Sequence, residues 1–242
     1  MTFVIIGAGF TGIELACELR QRIRVHASAD VADSARVVLI EREPVAGPQL
    51  GPGPRPVIEE ALQNARVEVL LKTQVIRIND DGIELEGGTS IAAKPPSPPP
   101  GYAPIASPKR SMYRWTRSVA FPHLRITDRP GWYATGDVAC AYAEGEHVAL
   151  MSCQHAMTMG KFAGANVARD LCGQPLLTYQ QPNYQTCLDL GDYGAVLTRG
   201  WQRDVLKSGR EAKPIKVFIN QKVIYPPIDD HAALLAASAS PI

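Results

Sequence analysis

The stretch Gly7-Ala8-Gly9-Phe10-Thr11-Gly12 constrains this chain more than any other. It follows a short apolar run, Thr2-Phe3-Val4-Ile5-Ile6, and precedes a segment in which Ile13, Leu15, Ala16 and Leu19 recur at helical spacing. Strand, G-x-G-x-x-G turn and helix in that order is the context in which the glycine pattern is informative. Each glycine answers a separate steric demand. Gly7 permits the sharp turn, Gly9 lets the backbone approach a pyrophosphate, and Gly12 lets the helix pack against the strand. The helix start then offers unpaired N–H groups and partial positive charge to phosphate oxygens. A dinucleotide held by Gly7, Gly9, Phe10, Thr11 and Gly12 follows as the expectation.

The next segments extend this unit. Val37-Val38-Leu39-Ile40 reads as a second buried strand, stopped by Glu41. An acid at that point can bond both ribose hydroxyls of NAD, and its charge repels a 2′-phosphate, so NAD is favoured over NADP. Arg42 beside it moderates the preference. Glu41 stands further from Gly12 than the usual spacing of about 20 residues; the polar, alanine-rich residues 26–36, read as a loop or frayed helix end, account for the excess. A plain surface acid at a strand end is the alternative for Glu41. Glu14, in the first helical turn, is equally a cofactor contact or an acid favoured by the helix dipole.

Residues 47–56 are rich in glycine and proline and read as a loop, 57–64 as a helix and 67–71 as a third strand. Strands at 74–78, 83–85 and 90–92 are separated by Asp80-Asp81-Gly82 and Gly87-Gly88, which suit tight hairpins. Alternating strand and helix followed by such a meander predicts an α/β, Rossmann-like dinucleotide domain with a small antiparallel sheet added.

After Lys94 the pattern breaks. Six prolines fall between Pro95 and Pro104, with no period of 2 or 3.6, so residues 95–121 read as an atypical, Pro-rich segment. Regular signals resume at 124–126 and 131–139. Residues 152–172 predict a closely packed helix, with Ser152 as N-cap and Gly173 just past its end. Strands are expected in 188–198 and 216–225, and the alanine-rich tail is expected to fray. Gly136-Asp137, after a short strand, places an aspartate where it accepts hydrogen bonds from a polyol or simply closes a turn.

Composition excludes several function classes. Charge is balanced, 25 basic against 24 acidic side chains, so no global field favours nucleic acid. No apolar run approaches the roughly 18 residues of a membrane span, and the N-terminus has no basic region of a signal peptide. Cys17, Cys140, Cys153, Cys172 and Cys187 are scattered and form no CxxC pair, which fits reduced thiols in a cytoplasmic protein and no metal site. Arg199, Arg203, Lys207, Arg210, Lys213, Lys216 and Lys222 give the C-terminal region a basic bias beside Val217-Phe218-Ile219 and Val223-Ile224-Tyr225. A peripheral membrane contact and a solvated basic face both fit, and Pro214 is expected to interrupt any long amphipathic helix there.

Taken together, GAGFTGIELACEL, YATGDVA and the helix after MSCQHA resemble the flavin-dependent pyridine-nucleotide oxidoreductases, and within them most the type II NADH dehydrogenases. The resemblance implies that Gly7, Gly9 and Gly12 belong to an NADH-binding domain. It implies that Gly136 and Asp137 meet the ribityl or phosphate part of FAD, and that the helix beginning at Gln154-His155-Ala156 points its N-terminus at the flavin ring. A positive helix end there would stabilise a reduced, anionic flavin; a helix-start histidine without redox role is the alternative for His155. The implied domains are 1–94 for NADH, 95–121 as the atypical segment, 122–180 as the closing part of an FAD-binding domain, and 181–242 as a C-terminal region.

Members of this group carry an earlier glycine turn for the FAD pyrophosphate, so the resemblance leads one to expect a chain truncated at its N-terminus. Against the same background, residues 95–121 are either a natural insertion or an out-of-frame stretch restored near His123. The implied activity is transfer of hydride from NADH to FAD and then to a quinone or other acceptor, at the inner face of a membrane or free of it. The rival readings are a non-catalytic nucleotide-binding or interaction module, and half of a split enzyme whose partner chain supplies the remaining FAD site.

Overall fold

The computed structural model describes residues 1–93, 118–119, 122–127 and 129–239. The Pro-rich segment 95–121 thus lies outside the described residues except for Ser118 and Val119. In chain order the elements are β1 (Thr2–Ile6), α1 (Phe10–His26), α2 (Ala29–Ser34), β2 (Arg36–Ile40), α3 (Arg55–Asn64) and β3 (Val67–Leu70). They continue with β4 (Val75–Asn79), β5 (Gly82–Leu85), β6 (Ser90–Ala92), β7 (Ser118–Val119), β8 (Ala139–Cys140), β9 (Tyr142–Glu144), β10 (His147–Val148) and α4 (Cys153–Leu171). Last come β11 (Gln185–Asp189), β12 (Ala195–Arg199), β13 (Asp204–Gly209), α5 (Lys213–Phe218) and α6 (His231–Ser238). The described residues of Met1–Ala103 and Gln185–Ile219 form one unit, and those of Pro104–Tyr184 and Asn220–Ile242 form another.

In the first unit β1, β2 and β3 pair in parallel, with β2 in the middle and Val38 opposite both Val4 and Glu68. Burial explains why β2 is apolar from Val37 to Ile40. Val37 and Leu39 point to one face, into a core with Ile13 of α1 and Ile58 and Leu62 of α3. Val38 and Ile40 point to the other, against Ile83 and Leu85 of β5. A strand covered on both faces has no polar side to show. The antiparallel meander β4–β5–β6 supplies the second cover, as its turn residues predict.

Helix α1 forms where the spacing predicts it, but its buried stripe is Ile13, Ala16, Cys17, Arg20 and Ile23. Leu15, expected in the stripe, is exposed. Arg20 takes a core position because its Nη1 donates to the Ala35 carbonyl at 2.7 Å while its methylene stem lies in the interior. Residues 26–36, read as loop or frayed helix, contain a helix of their own, α2, whose Ala32 is buried in the same core.

The C-terminal strands β11, β12 and β13 make an antiparallel sheet in this first unit. Leu188 and Val196 join the main core, while Cys187, Ala195 and Leu197 face Ala212 and Ile215 around α5. Two expectations fail here. The stretch 216–225 is not a strand: α5 runs into a wider turn of helix at Ile219–Val223. Pro214 does not interrupt a helix but stands in its first turn, where a missing N–H goes unneeded. Strand β13 escapes a reading by periodicity because nearly all its side chains are exposed, leaving only backbone pairing with β12 to define it.

In the second unit α4 has the predicted bounds, and Ser152 caps it by accepting from the His155 N–H. Fully buried Asn166 on α4 holds two neighbouring segments. Its Oδ1 accepts from the Leu177 N–H, and its Nδ2 donates to the carbonyls of His123 and Leu177. Where regular signals resume at 131–139, the structure has one bridge between Arg125 and Tyr133, a helical turn at Gly136–Val138, and β8 paired in parallel with β7. In the alanine-rich tail Asp230 caps α6 by accepting from the Ala233 N–H, while the terminus expected to fray lies outside the described residues beyond 239.

Leu39 sits fully buried at the centre of the parallel sheet. Leu39→Ala should lower unfolding stability by about 3 kcal/mol, the usual cost of a buried leucine cavity, measured as a drop in the urea midpoint at unchanged slope.

Candidate functional site

The glycine turn joins β1 to α1 through a small set of backbone contacts. Gly7, at φ +96°, donates its N–H to the Ile40 carbonyl at 2.8 Å, tying the turn to the end of β2. Gly9 is the N-cap of α1, in extended backbone and without a side-chain cap. A methyl group on Gly9 would meet nothing within 4 Å, so one side of the turn is open. A methyl on Gly12 would lie 1.9 Å from the Gly7 carbonyl oxygen, a distance no side chain tolerates. The start of α1 is therefore pressed onto the turn, and its first N–H groups have no acceptor within the helix and no side-chain cap.

Glu41 is buried at the end of β2, and both of its oxygens are engaged. Oε2 accepts from the Ala8 N–H at 2.8 Å and Oε1 from the Glu43 N–H at 3.0 Å. The Ala8 carbonyl in turn accepts from the Gly47 N–H. The carboxylate thus closes the turn onto the chain beyond β2 while still lining a cavity of about 590 Å³. Gly7, Gly9, Glu41, Pro48, Gln49 and Thr73 are among the residues around it. The cavity opens at the carboxyl ends of β1, β2 and β3, the place where ligands bind in open parallel sheets. Of the predicted residues, Gly7, Gly9 and Glu41 line it. Phe10 is half-buried at the start of α1, Thr11 is exposed, and Gly12 lies beneath the turn.

Glu14 points its carboxylate toward the C-terminal sheet. Its Oε1 accepts from the Asp189 N–H and from the Lys216 ammonium, both at 2.8 Å. Lys216 Nζ also sits 5.5 Å from the centre of the Phe10 ring, and Lys213 bonds Asp189 Oδ1 at 2.6 Å. Cys17 lies beside this cluster. Burial pushes its thiol up from 9.0 to about 12, with the charges of Asp189 and Glu14 adding to the effect. The basic bias of the C-terminal region is accordingly not one solvated face. Lys216 and Arg203 are buried and Lys213 is half-buried, while Arg199, Lys207, Arg210 and Lys222 are exposed.

In the second unit, Gly136 (φ +66°) and exposed Asp137 form a single helical turn packed on the start of α4, where a methyl on Gly136 would lie 3.6 Å from the Ala156 side chain. Gln154 and Ala156 are half-buried. His155 is buried, with Nδ1 2.9 Å from Ser152 Oγ and its ring 4.6 Å from that of Tyr184. Sequence reasoning did not find Thr73, Gln74 or the Pro48–Gln49 wall. No motif marks them, and only the packing of the loops after β2 and β3 brings them to the cavity.

Residues 1–160 match the family model described as pyridine nucleotide-disulphide oxidoreductase. An NADH dehydrogenase-like protein of Mycobacterium tuberculosis is 40% identical over 243 residues, covering 99% of this chain and 61% of the relative. A type II NADH:quinone oxidoreductase of Staphylococcus epidermidis is 27% identical over 240 residues, covering 93% and 57%. Among solved structures, NDH2 from Plasmodium falciparum in complex with NADH superposes with a TM-score of 0.70 at 11% identity, over 98% of this chain and 64% of that one. The sulfide:quinone oxidoreductase of Aquifex aeolicus gives 0.62 at 15% identity, over 91% and 57%. At such identities the structural likeness speaks for the fold alone. The chain spans about three fifths of the length of the curated relatives it matches.

Because the Cys17 thiol is raised to about 12 in the folded chain, its contribution to stability is complete below pH 9. It is lost as pH climbs from 9 toward 12, where the unfolded chain ionises first. Cys17→Ala should flatten the alkaline decline of stability measured by urea unfolding between pH 8 and about 11.

Proposed function

Since this chain belongs to the pyridine nucleotide-disulphide oxidoreductase family, we propose that it binds NADH at its glycine turn and serves an FAD-dependent NADH:quinone oxidoreductase. One observation carries the reading. The Gly12 backbone lies so close to the Gly7 carbonyl that the start of α1 and the open side of the turn meet the cavity at the strand ends. That arrangement suits a pyrophosphate, whose charge the helix N-terminus and its free N–H groups stabilise.

The residues present also fit the groups such an enzyme would hold. The turn has no side chain at Gly7 or Gly9 to exclude phosphate oxygens. Glu41 faces the cavity with an oxygen pair already fixed in position, which orients it for ribose hydroxyls and against a 2′-phosphate, hence NADH before NADPH. For FAD, Asp137 is exposed and free to accept from a polyol, and Gly136 keeps the backbone bare beside Ala156. The α4 terminus at Gln154-His155-Ala156, capped by Ser152, supplies positive polarity where negative charge develops. His155 in this reading is a positioning residue, held by Ser152 and Tyr184. Bound FAD supplies the two-electron chemistry that links NADH to a second acceptor. The protein's part is to bind, orient and polarise, and no acid–base dyad is needed.

The flavin contacts beyond those on this chain would come from outside these 242 residues, in the same polypeptide or in a partner. The visible spectrum of the purified protein tests this. Yellow colour that NADH bleaches at concentrations well below those required of NADPH, and that a soluble quinone restores, is the expected result. A colourless protein that binds NADH would instead be a nucleotide-binding module. Colour that forms only with a partner chain would mark a split enzyme. Absence of any NADH binding would overturn the reading.

We propose a cytoplasmic protein, for which a solvated basic face and peripheral contact with the inner face of a membrane are the two readings of the C-terminal basic residues. Among the described residues no helix is long and apolar enough to cross a membrane. Within the first unit, exposed Arg199, Lys207 and Arg210 and exposed Val217 and Phe218 are the types that adsorb to an anionic bilayer. Co-sedimentation with vesicles should rise with anionic lipid and fall with salt; binding indifferent to both would remove the membrane role.

A further inference from the structure

Part of the cavity wall, Pro48 and Gln49, belongs to the loop between β2 and α3. Little inside that loop fixes its shape. It makes one helical turn, Pro48–Leu50, flanked by Gly47 and Gly51 in left-handed backbone (φ +64° and +74°). Glycines in that conformation lose the most freedom on folding, so an external contact has to hold the loop. Leu50, buried in the core, and the Gly47 N–H bond to Ala8 hold its start. Its far end is held from a distant part of the chain, by the turn that joins β12 to β13.

The contact is backbone on backbone. A methyl group at Gly53 would lie 2.4 Å from the Arg203 carbonyl oxygen, and one at Gly51 would lie 3.1 Å from Arg203 Cγ. Gly53 is not in the left-handed region, so close approach and not conformational freedom requires a glycine there. Arg203 itself is 4% exposed and holds φ +61°, uncommon for a residue with a long side chain. Such a conformation persists only where the surroundings enforce it. The Arg203 N–H bond to Gly200 and the packing on Gly51 and Gly53 are part of those surroundings.

We propose that the β12–β13 turn, through Arg203, is a positioning element of the nucleotide site. By seating on Gly51 and Gly53 it sets the loop 47–53 and with it the Pro48–Gln49 wall of the cavity. The proposal rests on reading that cavity as the NADH site. Its physical content is preorganisation: a wall already in place spares the ligand the entropy of ordering it. Nucleotide affinity then depends on residues far beyond the glycine turn in sequence.

Gly53→Ala in the full chain forces the loop and the turn apart by adding a methyl at an occupied position. Arg203→Gly keeps the left-handed backbone and its carbonyl and removes the side chain with all its contacts, the packing on Gly51 among them. The readouts are the dissociation constant for NADH and amide hydrogen exchange at Gly47 and Leu50. Gly53→Ala should raise the constant about tenfold or more and speed exchange at both amides, with exchange in β1 and β2 unchanged. Arg203→Gly should move both readouts in the same direction by less, and it decides the matter if Gly53→Ala does not fold. Unchanged exchange at Gly47 and Leu50 overturns the proposal, and so does faster exchange with unchanged NADH affinity. If the unsubstituted chain binds no NADH, the reading of the cavity fails on that result alone and takes the positioning role with it.

Discussion

The seating of the Gly12 backbone against the carbonyl of Gly7, with no room for a methyl group, governs what surrounds it. A side chain at Gly12 would lift α1 from β1 and draw Ile13 from the core it shares with Val37 and Leu39, whereas at Gly7 it is the φ of +96° that calls for glycine. The first N–H groups of α1, like those of any helix, have no intrahelical partners, and the close approach sets them beside the turn. Glu41 reinforces it from the side by taking the Ala8 N–H, so the residue suited to ribose also braces the turn.

A second set of interactions binds α1 to the C-terminal sheet. Glu14, Lys216, Asp189 and Lys213 form a chain of charge-assisted bonds, two of them between residues far apart in sequence. Taking charges out of water is costly, and pairs of this kind add little net stability over well-packed apolar residues. Their effect is selective: a slipped register of β11 would part the Asp189 N–H from half-buried Glu14 and the Asp189 carboxylate from Lys213. The apolar contacts of Leu188 and Val196 provide the attraction, and the polar cluster specifies how the sheet seats. The raised Cys17 thiol is a by-product of that burial and marks an unreactive group.

In the second unit one helix organises what is described. Ser152 begins α4, Asn166 pins two segments to its middle, and Tyr133 donates to Asp170 near its end. The turn of Gly136 and Asp137 rests on the first residues of this helix. A rigid helix with a capped start is well suited to presenting a fixed electrostatic environment, because its dipole requires no rearrangement when charge develops nearby.

By itself the sequence determined the local architecture wherever one cause dominated. The glycine turn, the double-sided burial of β2, the hairpins at Gly82 and Gly87-Gly88 and the Ser152 cap are each written in a few adjacent residues, and each is found. It was less legible where short apolar runs carry no period, as in 216–225, where helix and strand predict the same composition. Exposed β13 was invisible for the opposite reason, having no buried face to leave a pattern. Tertiary structure alone decided which side chains share a space. It turned Glu14 toward Lys216, buried Arg203 under the loop at Gly51 and Gly53, and brought Pro48, Gln49 and Thr73 to the cavity of the glycine turn. The turn could be recognised because its constraint acts over six residues. What completes the site could not, because those contacts join segments whose separation in sequence leaves no local trace.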